Sequence, residues 1–185
     1  MQATYEMLEE AGFDRLSIEG IAHRAGVAKT TIYRWWSNKG VLAIEAFLTA
    51  VSPKLAFPET ASPVADLRAQ MHRVARMYRG KTGRLIRELV ALSQADPETC
   101  RAFVEGYTKP RYREGAACLQ RGIDRGELRQ DLDIAIALDA IYGPIWHRLL
   151  LQHGPIDAAY VDRHLDMVLQ GLAKPKPRPA PARRR

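Results

Sequence analysis

Three prolines fall within the twelve residues 52-SPKLAFPETASP-63, at Pro53, Pro58 and Pro63. Each removes a backbone donor, and its ring clashes with the preceding helical turn, so a regular helix cannot cross the segment. On either side apolar residues recur at helical spacing, and no run of alternating β-branched residues suggests a sheet. The chain therefore reads as two all-α units, residues 1–51 and 63–173, divided by a broken connector. Spacing predicts helices at 1–11, 17–24, 28–35, 38–51, 63–79, 81–94, 97–107, 109–126, 133–152 and 157–172. Gly12 suits the position just behind the first helix, and Ser17, Asn38 and Asp157 are N-cap residues. Pro97 and Pro110 sit where a first turn accepts proline, whereas Gly143-Pro144 falls inside a helical pattern and predicts a kink.

The net charge of +7 is unevenly placed. The tail 174-KPKPRPAPARRR-185 holds six bases and no acid, and its composition predicts a disordered basic, proline-rich segment. The other residues carry 22 bases against 21 acids, close to balance. Within that body one interval is one-sided. Arg24, Lys29, Arg34 and Lys39 follow one another with no Asp or Glu between them, in company with Thr30, Thr31, Tyr33, Trp35 and Trp36. A solvated helix face usually interleaves both signs, so the interval predicts an external negative partner.

The same interval contains two short helices, 17–24 and 28–35, joined by 25-AGV-27. A brief glycine-bearing turn between such helices marks a helix-turn-helix. Ile18, Ile21, Ala22, Val27, Ile32 and Trp36 are expected to meet Tyr5, Leu8 and Phe13 in a small core. Lys29, Thr30, Thr31, Tyr33, Arg34 and Trp35 are left for the outside. Hydroxyls and cations suit phosphate oxygens and base edges of a major groove, although Trp35 could equally pack at the solvent edge. Lys39 opens the next helix, where free N–H groups already favour a phosphate. With Ser17 at the start of the first helix of the pair, these form the candidate DNA-binding set.

The span 5-YEMLEEAGFDRLSIEGIAHRAGVAKTTIYRWWSNKGVLAIEAF-47 resembles the DNA-binding domain of the TetR family of transcription regulators. Gly12-Phe13, Ser17, Ile21-Ala22, Ala25-Gly26-Val27, Thr31-x-Tyr33, Trp36, Lys39 and Leu42 carry the likeness. The segments 125-RGELRQDLD-133 and 141-IYGPIWHRLL-150 look like the ligand-domain half of one branch. The resemblance implies that Thr31, Tyr33 and Lys39 contact DNA and that Lys29, Thr30, Arg34 and Trp35 vary the reading. It also implies a homodimer, a double-stranded operator with two-fold symmetry, an unknown small-molecule effector, and repression relieved by that effector. The chain departs from the pattern at three places. Ala28 stands where a serine is frequent, Gly40 stands where an acid is common, and the usual basic arm before the first helix is missing.

In the second unit Tyr78, Phe103, Tyr107, Tyr142, Trp146 and His147 can be plain core or can line the effector pocket that the resemblance implies. Two apolar stripes recur at spacings of three and four: Tyr112, Ala116, Leu119 and Ile123, then Val161, Leu165, Val168 and Leu172. Either they pack inward or they form the dimer interface as a four-helix bundle. The five histidines are scattered without metal-ligand spacing, and there is no phosphate loop or nucleophile elbow, so neither catalysis, a metal nor a cofactor is expected. Cys100 and Cys118 read as reduced small apolar residues. No continuous apolar run approaches the roughly 18–20 residues that span a bilayer, and the acidic start is unlike a signal peptide. A cytoplasmic protein is expected. The rival function is a helical dimeric interaction module without sequence-specific DNA binding; an acid at Lys39 or Arg34 would favour it, and neither is present.

Overall fold

The computed structural model describes residues 1–172, so the basic tail 174–185 lies outside the described residues. Those residues form an all-α chain. Helices α1 (Gln2–Ala11), α2 (Ile18–Ala25) and α3 (Lys29–Trp35) make an N-terminal bundle, and α4 (Lys39–Val51) leads out of it. A 3₁₀ turn at Ser52–Leu55 opens the connector. The second unit comprises α5 (Pro63–Tyr78), α6 (Lys81–Ala95), α7 (Pro97–Phe103), α8 (Lys109–Asp124), α9 (Ile134–Leu151) and α10 (Ala158–Leu172). Helix α5 packs on α6, α8 and α10, while α9 packs on α8, α10 and α6.

The caps follow the local chemistry. Ser17, Asn38, Asp96 and Asp157 accept from the N–H groups of Gly20, Val41, Thr99 and Tyr160. Each satisfies one of the donors that a helix start leaves open. One expectation about the helices needs correction. The helices expected at 97–107 and 109–126 are one continuous rod, because a π turn at Val104–Thr108 joins α7 to α8. The Lys109 N–H reaches back to the Val104 carbonyl, and the wider turn accommodates Pro110, which has no N–H to give. Helix α9 runs through Pro144 without ending. It is also 18 residues long with a mean hydropathy of 1.3 and only 28% buried, long and apolar enough by composition to cross a membrane. Asp139 and Arg148 interrupt its sequence but hardly dilute it.

The connector is pinned rather than loose. Asp66, itself fully buried, accepts from the Thr60 N–H at 3.1 and 3.0 Å, from the Thr60 hydroxyl at 2.6 Å and from Arg121 at 3.1 Å. Arg73 binds the Ala56 carbonyl at 2.6 Å. Burial alone would push the Asp66 carboxyl up, but Thr60 and Arg121 outweigh it and hold the group below the usual carboxylate range. Asp66→Ala should therefore cost about 2–4 kcal/mol, since it strands a guanidinium and two donors. The Asp66 contribution is fully present above about pH 4, the unfolded carboxyl's own range, and is lost as pH falls through the lower folded value. Denaturant melts on the acid side should show that loss in the native sequence and not in Asp66→Asn.

Candidate nucleic-acid interface and effector cavity

Helix α3 has seven residues, of which Ile32 is the one buried. Lys29, Thr30, Thr31, Tyr33, Arg34 and Trp35 are all exposed, Tyr33 at 56% and Trp35 at 73%. The turn that aims α3 depends on Gly26, whose φ of 66° is left-handed and closes α2 with bonds to Ala22 and His23. Val27 was expected in the core but is 42% exposed, since the turn swings it outward. Trp36 is half-buried, and its indole N–H donates to Glu45 at 2.7 Å. Ala28 starts α3 with no side-chain cap.

The one-sided charge of the sequence is largely answered within the fold. Arg24 bridges Glu10 at 2.6 Å and Glu6 at 3.1 Å, and Lys29 meets Glu19 at 3.0 Å. The hydrogen bond from Arg24 holds the Glu10 carboxyl low, and that from Lys29 does the same for Glu19. Lys39 lies over the Phe13 ring, 4.3 Å from its centre, and donates to the Phe13 carbonyl at 3.4 Å. Of the four cations, Arg34 alone makes no intramolecular ion pair or hydrogen bond among the described residues. Acids from α1 and α2, 10 to 18 residues away in sequence, thus reach two of its cations through exposed ion pairs.

Hydrogen bonds tie the N-terminal bundle to the second unit around Phe13 and around Asn38. Glu88 of α6 accepts the Phe13 N–H at 2.9 Å, so Phe13 is bracketed between Glu88 and Lys39. In the turn before α4, Asn38 donates to Glu98 at 3.1 Å, at the first turn of α7. Gly40 explains its own departure from the family pattern: a Cβ there would sit 2.5 Å from the Thr99 hydroxyl, so only glycine lets α4 approach α7 this closely. Nothing local in the sequence signals Glu88 or Glu98, which meet partners some 60 to 75 residues away.

The second unit holds a half-open cavity of about 330 Å³ between α5, α8, α9 and the π turn. Tyr78, Tyr107, Tyr142 and Trp146 line it as expected. Phe103 does not reach the lumen; it is buried behind, 5.2 Å from the Tyr107 ring and 6.5 Å from Trp146. His147 points away, exposed, with its ring 4.5 Å from that of His153. One residue beyond Trp146, it is turned about 100° round the helix. Gln70, Arg111 and Asp139 join the lining, and periodicity did not mark them. Tyr142 donates to Gln70 at 2.7 Å, and the Tyr78 and Tyr107 hydroxyls bond each other at 2.9 Å.

The stripes considered for dimer contact turn several of their residues inward. Leu119, Val161 and Leu165 are fully buried, and Ile123, Val168 and Leu172 pack against the same core. Tyr112 stands at the cavity. Apolar periodicity marks the face that leaves water, and here the protomer's own core claims it. In the second unit the large apolar residues left outside are Tyr112 of α8, Ile136, Leu150 and Leu151 of α9 and Met167 of α10.

An exposed helix-turn-helix joined to a helical unit with a half-open apolar cavity defines a helix-turn-helix transcription regulator. The family model described as "Bacterial regulatory proteins, tetR family" matches residues 1–46, and "Tetracyclin repressor-like, C-terminal domain" matches 57–168. The chain belongs to the TetR family. It is 37% identical over 161 residues to the HTH-type transcriptional regulator YdeS of Bacillus subtilis, covering 87% of this chain and 81% of that one. It is 31% identical over 173 residues to the DNA-binding transcriptional repressor TetR of Mycobacteroides abscessus, covering 92% and 90%. The crystal structure of the TetR family transcription regulator SCO0332 superposes with a TM-score of 0.83 at 34% identity, covering 94% and 96%. FadR from Bacillus subtilis, in complex with stearoyl-CoA, shares the fold with a TM-score of 0.66 at 22% identity, covering 92% and 96%.

Two outcomes follow from this geometry. Ala28 already has extended backbone, so Ala28→Ser should cap α3 and stabilise the protein by about 1 kcal/mol in thermal melts. Arg34→Ala should flatten the salt dependence of DNA binding by about one unit of slope, and Lys29→Ala by less, because Lys29 already carries a carboxylate. Equal slopes for the two variants would contradict that difference.

Proposed function

We propose that the protein is a cytoplasmic homodimeric repressor that grips a palindromic operator with two copies of α3 and releases it when a small molecule fills the cavity. The observation that carries this reading is the rod formed by α7, the π turn and α8. It bears Glu98 against the base of α4 at one end and Tyr107 in the cavity wall further along. Nine residues of helix separate them, about 14 Å. A ligand pressing on Tyr107 is thereby coupled to the orientation of α3, with α4 and α6 as the other levers. FadR's complex with stearoyl-CoA supports the idea that this architecture can hold a small molecule with a large apolar part.

Ser17, Thr30, Thr31, Tyr33, Arg34 and Lys39 are the proposed DNA contacts, with Lys29 and Trp35 at their edge. Lys39 must exchange its Phe13 contacts for a phosphate. The second copy is assigned to the outward face of α9 and α10, where Ile136, Leu150, Leu151 and Met167 lack cover within the protomer. Association there accounts for the apolar character of α9 without a membrane. A dimer also sets the separation of the two α3 helices, which must match successive major grooves about 34–36 Å apart.

Selection from random DNA should yield a two-fold symmetric motif. Arg34→Ala should shift that motif, while Tyr33→Phe and Lys39→Ala should weaken binding to it. Failure to enrich any motif would favour the interaction-module reading instead. In sedimentation, Leu151→Glu with Met167→Glu should yield monomers whose helical content is unchanged; a persistent dimer would assign the interface elsewhere. An active effector and the operator should weaken each other by one common factor, ~5–150-fold for a usual coupling.

A further inference from the structure

Among the three buried or half-buried tyrosines Tyr78, Tyr107 and Tyr142 that line the cavity, one hydroxyl proton is left over. Tyr142 spends its proton on the Gln70 carbonyl oxygen, and Gln70 turns its amide toward the Leu55 carbonyl at 3.5 Å. Tyr78 and Tyr107 bond only each other among the described residues, at 2.9 Å. Two hydroxyls carry two protons, and a single bond between them uses one. Both side chains are buried and line the cavity, so the spare O–H is held away from bulk water beside an open lumen. Buried donors in folded proteins nearly always have a partner.

The fixed charges around the lumen argue about the partner's sign. Arg111 lines the wall, but Glu114 binds it, and the pair leaves one guanidinium nitrogen and one carboxylate oxygen without partners. Glu114 stands behind the lining, and Asp139, exposed at its edge, is the carboxylate within it. One cation against two carboxylates offers an anion no net attraction. The remaining walls are flat and apolar: Trp146 stands 5.7 Å from Tyr78 and 6.2 Å from Tyr107, with Val74 and Leu138 alongside. A volume of about 330 Å³ is at the small end of ligand pockets and suits two or three fused rings.

We propose that the effector is an uncharged, largely aromatic molecule whose carbonyl oxygen accepts the spare proton of the Tyr78–Tyr107 pair. This rests on the reading of the cavity as the effector site. The pair remains a donor under all ordinary conditions: burial pushes the Tyr107 hydroxyl up to about 12 and raises that of Tyr78 well above its usual value. Affinity for such a ligand should therefore be flat between about pH 6 and 9, well below the range where either hydroxyl ionises.

The test is calorimetric titration of the full chain with three probes of one shape: acetylnaphthalene, naphthalene and naphthoate. Acetylnaphthalene should bind about tenfold more tightly than naphthalene, the usual worth of a well-made neutral hydrogen bond, and naphthoate most weakly. Removing one hydroxyl leaves the other still able to donate, so Tyr78→Phe and Tyr107→Phe should each keep most of the preference. The double variant Tyr78→Phe/Tyr107→Phe should lose it while still binding naphthalene, which also shows that the cavity is intact. Preference for naphthoate would transfer the anchor to Arg111 and overturn the proposal. Equal binding of the ketone and naphthalene would overturn it too, leaving an effector cavity of purely apolar selectivity. If none of the probes binds, the effector-site reading itself fails along with the proposal.

Discussion

Helix α4 is packed from both sides. Gly40, Leu42, Ala43, Ile44, Ala46, Phe47 and Val51 are all buried, against α1 in one direction and α6, α7 and the π turn in the other. A helix buried on so much of its circumference cannot slide past one neighbour without disturbing the next, because close-packed interiors transmit strain rather than absorb it. The position of α3 relative to the cavity is therefore a property of α4's packing. The glycine at position 40 is the extreme case, where the two units meet without room for a methyl group.

Electrostatics adjusts this frame without creating it. Arg24 and Lys29 are exposed and paired with exposed acids, an arrangement that contributes little to stability in water. Arg34 is the charge on α3 that has no such partner among the described residues. The buried Asp66 is the contrasting case. It holds the connector by Thr60 and Arg121 where water cannot compete, and so fixes the start of α5, the helix that carries Gln70, Val74 and Tyr78 to the cavity.

Within the cavity the aromatic residues serve two ends at once. Tyr78, Tyr107 and Trp146 belong to the continuous hydrophobic core or pack against it, and the same rings form the wall of an open space. The choice between core and pocket, posed by the sequence as alternatives, has no single answer for these residues. Phe103 and His147 show how narrow the margin is, the first a layer too deep and the second on the far side of its helix.

Much was legible before any coordinates. Three prolines marked a break in the helical pattern, helical spacing and the caps Ser17, Asn38 and Asp157 placed the elements, and the Gly26 turn marked the helix-turn-helix. All of these act within a few residues of backbone, where propensity and capping are decided. Periodicity also identified Leu119, Val161 and Leu165 as a face that avoids water, but it carries no record of what covers that face. Tertiary packing assigned it to the protomer's own core and left Ile136, Leu150, Leu151 and Met167 outside. The same limit hid Glu88 beneath Phe13, the acids paired with Arg24, and the joining of α7 to α8 through a π turn. Local sequence determined which segments are helical and where they begin; which faces meet, and which charges cancel, depended on contacts between residues that only folding brings together.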